Sequence, residues 1–162
     1  MDWVNAIIQG ALVGGLYALF AAGLSLMFGV MRLINIAHGD LIVLAAYVAL
    51  VVVQTLGLGA FTSLIIVVPA MFAMGYILQR GLLNFTLGGD VLPPLLVTFG
   101  LSIVIQNALL EGFSADNQKL QAGTFETASL HLTDQLAIGW FPVVMFLTAV
   151  VVIGALELLL YH

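Results

Sequence analysis

Five long apolar runs, with almost no charge inside them, decide what this chain can fold into. They cover approximately residues 6–30, 36–56, 61–79, 92–110 and 136–161. Hydrophobic residues make up 63% of the 162 positions and charged residues only 7%, too few charges for the surface of a water-soluble domain. A helix needs about 20 apolar residues to cross the hydrocarbon core of a bilayer. The sequence therefore predicts an all-α, polytopic membrane helix bundle of about five transmembrane helices.

The composition also excludes several classes of function. The absence of cysteine excludes disulfides and thiolate metal sites, and three Lys and Arg cannot form a footprint on nucleic acid. His38 and Asp40 do not point the same way on a helix, and no HExxH motif is present, so we expect no metal, no cofactor and no catalytic residue. The first run is too long for a signal peptide and has no basic residue before it, so it is interpreted as a membrane span.

A short polar stretch between the first two spans, residues 34–41, holds Asn35, His38, Gly39 and Asp40. The apolar run after it, residues 41–56, is too short to span alone, so its helix must either draw residues from this stretch or stop inside the protein. One interpretation is an interfacial loop in which Asn35 is the N-cap and Asp40 lies near the positive end of the helix dipole. The other is a helix break that lines a transport path.

The shortness of the second apolar run also predicts the local geometry of residues 34–41. The helix should begin at or before His38, with Asn35 at its start and Asp40 in its first two turns. His38 and Asp40 should face other helices, because lipid would leave both unsatisfied. We expect Arg32 as a candidate ion partner of Asp40, and Gly39 as a point of close approach to the first helix.

The fourth run carries Thr98, Ser102 and Gln106 at a spacing of four residues, which places them on one helix face. This polar face has two interpretations that the residues alone do not separate. It could form hydrogen bonds to another helix, which are worth about 0.6 kcal/mol on average in membranes. It could instead form a polar wall of a translocation pathway.

Small residues recur every fourth position in the first run, at Gly10, Gly14, Ala18 and Ala22. This small-xxx-small stripe predicts close packing of the first helix against a neighbour. Arg32 and Arg80 follow the first and third spans, which end on the same side of the membrane. Because basic residues favour the cytoplasmic side, the N-terminus is predicted to lie outside.

Several segments, in the right order, resemble one known family. The segments are Gly15-Leu16-Tyr17-Ala18-Leu19, Ile34-Asn35-Ile36-Ala37-His38-Gly39-Asp40, Ala45-Ala46-Tyr47, Thr98-Phe99-Gly100-Leu101-Ser102 and Ile105-Gln106-Asn107. They are similar to the N-terminal portion of the branched-chain amino-acid ABC transporter permeases. The similarity extends over most of the chain and is loosest in residues 111–135.

The resemblance implies a permease subunit of an importer in a bacterial-type cytoplasmic membrane. It implies a second permease subunit, two cytoplasmic ATP-binding subunits that hydrolyse ATP, and an extracytoplasmic substrate-binding protein. Family members are longer, so residues 1–162 are expected to be one permease domain truncated at its C-terminus, which agrees with the formal charge of −5. Branched-chain amino acids are the expected substrates. Relatives that move urea, short amides or sugars, and a non-transporting membrane scaffold, are the alternatives.

Overall fold

The computed structural model describes residues 2–86, 92–114, 118, 129–133 and 136–161. Within these ranges it contains five long helices, α1 (Asp2–Met31), α2 (His38–Leu56), α3 (Ala60–Gly81), α4 (Leu92–Phe113) and α5 (Trp140–Tyr161), a 3₁₀ turn (Leu83–Phe85), and two short strands, β1 (Ser129–Thr133) and β2 (Leu136–Gly139). All five helices are long and apolar enough to cross a membrane. The predicted all-α, polytopic bundle is confirmed.

The predicted start of the fifth span, at residue 136, is wrong. Residues 136–139 form β2, which pairs antiparallel with β1 from Ser129 opposite Gly139 to Thr133 opposite Leu136. The helix begins only at Trp140, and Pro142 lies in its first turn, where a missing backbone N–H costs no helix hydrogen bond.

The chain divides into two compact units, and the first comprises Met1–Leu26 and Ala122–His162. In this unit α1 contacts α5 at Gly15. A Cβ atom at Gly15 would lie 2.6 Å from Cδ2 and 3.3 Å from Cα of Phe146, closer than a side chain tolerates. Glycine at this position therefore lets the two helices approach.

The predicted small-residue stripe does not make this contact. Gly10, Gly14 and Ala18 are exposed and Ala22 is half-buried. A Cβ atom at Gly10 or Gly14 would meet no heavy atom within 4 Å. The stripe therefore makes no close contact at these two glycines within the first unit, and its packing against another helix stays a prediction. The contact face of α1 is centred one residue further on, at Gly15, a rotation of about 100° around the helix axis.

The second unit comprises Met27–Gln121 and holds α2, α3 and α4. Helix α2 packs against both α3 and α4. It ends at Gly57, which has φ of +64° and donates its backbone N–H to the carbonyl of Val53. A left-handed residue closes a helix most easily when it is glycine. This cap allows the chain to turn within three residues into α3.

Few side chains of the described residues are buried. The buried apolar residues of the second unit are Leu33, Ala37, Leu50, Val67, Leu83 and Ile105, whereas large apolar side chains such as Ile65, Phe72 and Leu96 are mainly exposed. In water such a surface would drive aggregation. In a membrane it is the surface that faces lipid or other helices.

Candidate functional site

The connection between α1 and α2 is irregular and partly buried. Helix α1 closes at Arg32, which has φ of +52° and donates its backbone N–H to Phe28 at 2.8 Å. Leu33, Asn35 and Ala37 are then at most 4% exposed. Residues 32–35 have no regular secondary structure, and α2 begins at His38 as predicted. Alternate residues of this non-helical segment therefore pack into the second unit, while Ile34 and Ile36 are 46% and 41% exposed.

Asn35 shapes the turn that starts α2, but it is not the N-cap. Its Oδ1 accepts a hydrogen bond from the backbone N–H of Ala37 at 3.0 Å, and its carbonyl accepts one from His38 at 3.3 Å. Ala37 is the N-cap, with no side chain to cap the helix. The sequence interpretation that made Asn35 the N-cap is wrong, because the Asn35 side chain closes an Asx turn that comes before the first residue of the helix.

Thr98 joins this irregular segment to α4. The side chain is fully buried, and its Oγ1 accepts the backbone N–H of Ile36 at 3.2 Å. The hydroxyl proton has two acceptors within reach, the carbonyl of Leu95 at 3.1 Å and that of Ile34 at 3.5 Å. A backbone group with no helical partner is therefore satisfied by a side chain 62 positions away.

Asp40, Ser102 and Gln106 form a hydrogen-bonded triangle between α2 and α4. Ser102 Oγ donates to Oδ2 of Asp40 at 2.5 Å, and Gln106 Nε2 donates to Oδ1 at 3.1 Å. Gln106 Nε2 also lies 3.2 Å from Ser102 Oγ, which can accept from it. Hydrogen bonds to a charged group contribute roughly 1.5–3 kcal/mol each. The predicted polar face of α4 thus makes interhelical hydrogen bonds, and Asp40 lies in the first turn of α2 as predicted.

The carboxylate of Asp40 lies about half-way along α4. Ser102 is the eleventh of the 22 residues in Leu92–Phe113, a helix about 33 Å long at 1.5 Å per residue. Further along both helices the ring of Tyr47 meets that of Phe113, with centroids 4.5 Å apart. The two helices therefore run parallel, and α2 begins near the mid-length of its neighbour. If α4 spans the bilayer, the carboxylate is at membrane depth.

A pocket opens beside the triangle. It has a volume of about 250 Å³, and its lining residues are Asp40, Val43, Tyr47, Gln106, Leu109, Leu110 and Ser114. Tyr47 and the aliphatic residues were not predicted as site components. Helical spacing could have found them, because positions 40, 43 and 47 share a face of α2, and positions 106, 109, 110 and 113 share a face of α4.

Three further predictions about this region have different outcomes. Arg32 is exposed and, among the described residues, no ion pair joins it to Asp40, so that predicted partnership is wrong. Gly39 is exposed and a Cβ atom there would meet nothing within 4 Å in its own unit, so its close approach to the first helix stays a prediction. His38 is half-buried at the first position of α2. The described residues contain no group of three His, Asp or Glu side chains that could hold a metal ion.

These features define a class of protein, a polytopic membrane protein with a partly buried polar site between parallel helices. The family model for the permease component of branched-chain amino acid transport systems matches residues 6–162. This chain therefore belongs to the branched-chain amino acid transport permease family.

Curated relatives agree with this assignment. The permease protein BraD of the high-affinity branched-chain amino acid transport system of Pseudomonas aeruginosa is 30% identical over 116 residues, 67% of this chain and 38% of BraD. The corresponding LivH proteins of Salmonella typhimurium and Escherichia coli K12 are 25% identical over 166 residues, 93% of this chain and 54% of LivH. The chain thus spans about half the length of these relatives or less. No solved structure shows significant similarity to it.

Proposed function

We propose that this chain is a membrane-spanning permease subunit of an ATP-binding cassette importer that moves branched-chain amino acids across the cytoplasmic membrane. Its proposed partners are a second permease subunit, two cytoplasmic ATP-binding subunits and an extracytoplasmic substrate-binding protein. ATP hydrolysis belongs to the ATP-binding subunits. The family match over residues 6–162 and the names of the curated relatives support this proposal.

One structural observation supports a role in transport. A non-helical segment and a carboxylate, Asp40, lie beside the middle of a helix that is long enough to span. Non-helical backbone at membrane depth is tolerated where it is buried in protein or lines a water-filled cavity, and broken helices often form transporter substrate sites. We propose that the translocation pathway includes Asn35, His38, Gly39, Asp40, Thr98, Ser102 and Gln106.

The proposed orientation places the N-terminus outside. Arg32 follows α1 and Arg80 lies in the last turn of α3, and both residues are exposed. With alternating spans these two positions lie on the same side of the membrane. Basic residues near short loops favour the cytoplasm. The N-terminus then lies on the opposite, extracytoplasmic side, where the substrate-binding protein delivers its cargo.

Uptake into right-side-out membrane vesicles that contain the assembled transporter, with ATP inside and the substrate-binding protein outside, tests the proposed function. We expect ATP-dependent uptake of labelled leucine that excess valine or isoleucine suppresses and that urea, acetamide and ribose leave unchanged. Suppression by urea, an amide or a sugar would assign a different substrate. Absence of ATP-dependent uptake of all these compounds would leave a membrane scaffold as the better assignment.

A further inference from the structure

We propose that the pocket beside Asp40 binds the primary ammonium group of an aliphatic amino acid, with the Asp40 carboxylate as its acceptor. This inference rests on the proposed function and names the group of the substrate that the chain recognises. The pocket lies within the second unit, between α2 and α4, and it opens directly onto the carboxylate.

The Asp40 carboxylate can accept further hydrogen bonds beyond those from the described residues. An aspartate carboxylate offers about four acceptor positions. Ser102 donates to one oxygen of Asp40 and Gln106 to the other, so about two positions receive no hydrogen bond from the described residues. Both donors are neutral, and no ion pair compensates the charge among the described residues. A charged group at membrane depth is costly unless it is paired, so a ligand with a positive charge gains from binding here.

The remaining wall of the pocket suits a short aliphatic chain. Its lining includes Val43, Leu109 and Leu110, together with the ring of Tyr47, which contacts the ring of Phe113. The pocket volume of about 250 Å³ leaves room for a ligand as small as one amino acid.

The charges around the pocket also determine which end of the amino acid is recognised. None of the described residues that line it is basic. A ligand carboxylate therefore finds only neutral donors there, such as the Ser114 hydroxyl, whereas an ammonium group finds a carboxylate. Binding should depend on the amino group and the aliphatic chain, and only weakly on the carboxyl group.

Ligand binding to the purified transporter, without its substrate-binding protein, tests this selectivity. We expect labelled leucine to bind and 3-methylbutylamine to displace it, while 4-methylpentanoate, which lacks the amino group, does not at tenfold higher concentration. Displacement by the acid but not by the amine would overturn the proposal. Failure of leucine to bind at all would also overturn it.

Two variants and one control locate the binding to this pocket. Asp40→Asn removes the negative charge with little change of shape, and Val43→Trp fills the pocket without removing a hydrogen bond of Asp40. Each should weaken leucine binding at least tenfold. Glu111→Gln removes an exposed carboxylate of the same helix α4 outside the pocket and should bind leucine like the unmodified protein.

The outcomes separate this inference from the proposed function. If Asp40→Asn fails to assemble, leucine binding by Val43→Trp tests the pocket instead, because this variant leaves the hydrogen-bonded triangle intact. Unchanged leucine binding by Val43→Trp, together with normal ATP-dependent leucine uptake, would overturn the proposal that leucine binds in this pocket. The proposed function would still stand. Absence of uptake by the unmodified transporter would reject both.

Discussion

Replacing Thr98 with valine should destabilise the start of α2 while leaving the shape of the core unchanged. Valine has the volume of threonine but cannot accept a hydrogen bond. Thr98 is fully buried, and the backbone N–H of Ile36 would lose its acceptor at 3.2 Å. A buried donor without a partner costs about 1–3 kcal/mol. Because water is absent from the hydrocarbon core, we expect the upper part of this range.

Thr55→Val is the matched control for this substitution. The Thr55 hydroxyl donates to the carbonyl of Val51 in its own helix, at 2.7 Å, and the side chain is exposed. Its loss leaves the helical backbone bonds intact, so the change in the free energy of unfolding should stay below about 0.5 kcal/mol. Thr98→Ser keeps the hydroxyl and should retain most of the stability.

The free energy of unfolding in detergent micelles and amide hydrogen exchange at residues 32–41 measure this prediction together. Thr98→Val should lower the denaturation midpoint and accelerate exchange of the Ile36 amide. The reasoning is refuted if Thr98→Val and Thr55→Val unfold at the same denaturant concentration and the Ile36 amide is equally protected in both variants.

Three further predictions concern other positions. Gly15→Ala should destabilise the protein by about 1–3 kcal/mol, since its Cβ would overlap the ring of Phe146, whereas Gly14→Ala should be nearly neutral; equal unfolding free energies would contradict this. Arg32→Gly should raise the unfolding free energy by about 1 kcal/mol, because glycine adopts φ of +52° without strain, and a decrease would indicate a structural role for the guanidinium. A single cysteine at exposed Asn84 should react with an impermeant maleimide only from the cytoplasmic side, and labelling in intact cells would reverse the proposed orientation.

The number and type of helices were predictable from the sequence because bilayer thickness sets the length of an apolar span. The short run after residue 40 also placed the start of α2 correctly at His38, by the same length argument. The shared face of Thr98, Ser102 and Gln106 follows from helix geometry alone. The start of the fifth span could not be predicted in this way. Residues 136–139 are apolar enough for a helix, but their pairing with 129–133 makes them a strand.

The partners of these side chains were decided by the tertiary structure. Helices that are apolar on nearly every face lack the polar side that orients a helix in a water-soluble protein. The sequence therefore could not show that α1 uses Gly15 in place of the stripe at Gly10 and Gly14. Nor could it show that α2 starts beside the middle of α4. That offset brings Asp40 to Ser102 and away from Arg32, through contacts more than 60 residues apart that no local pattern encodes.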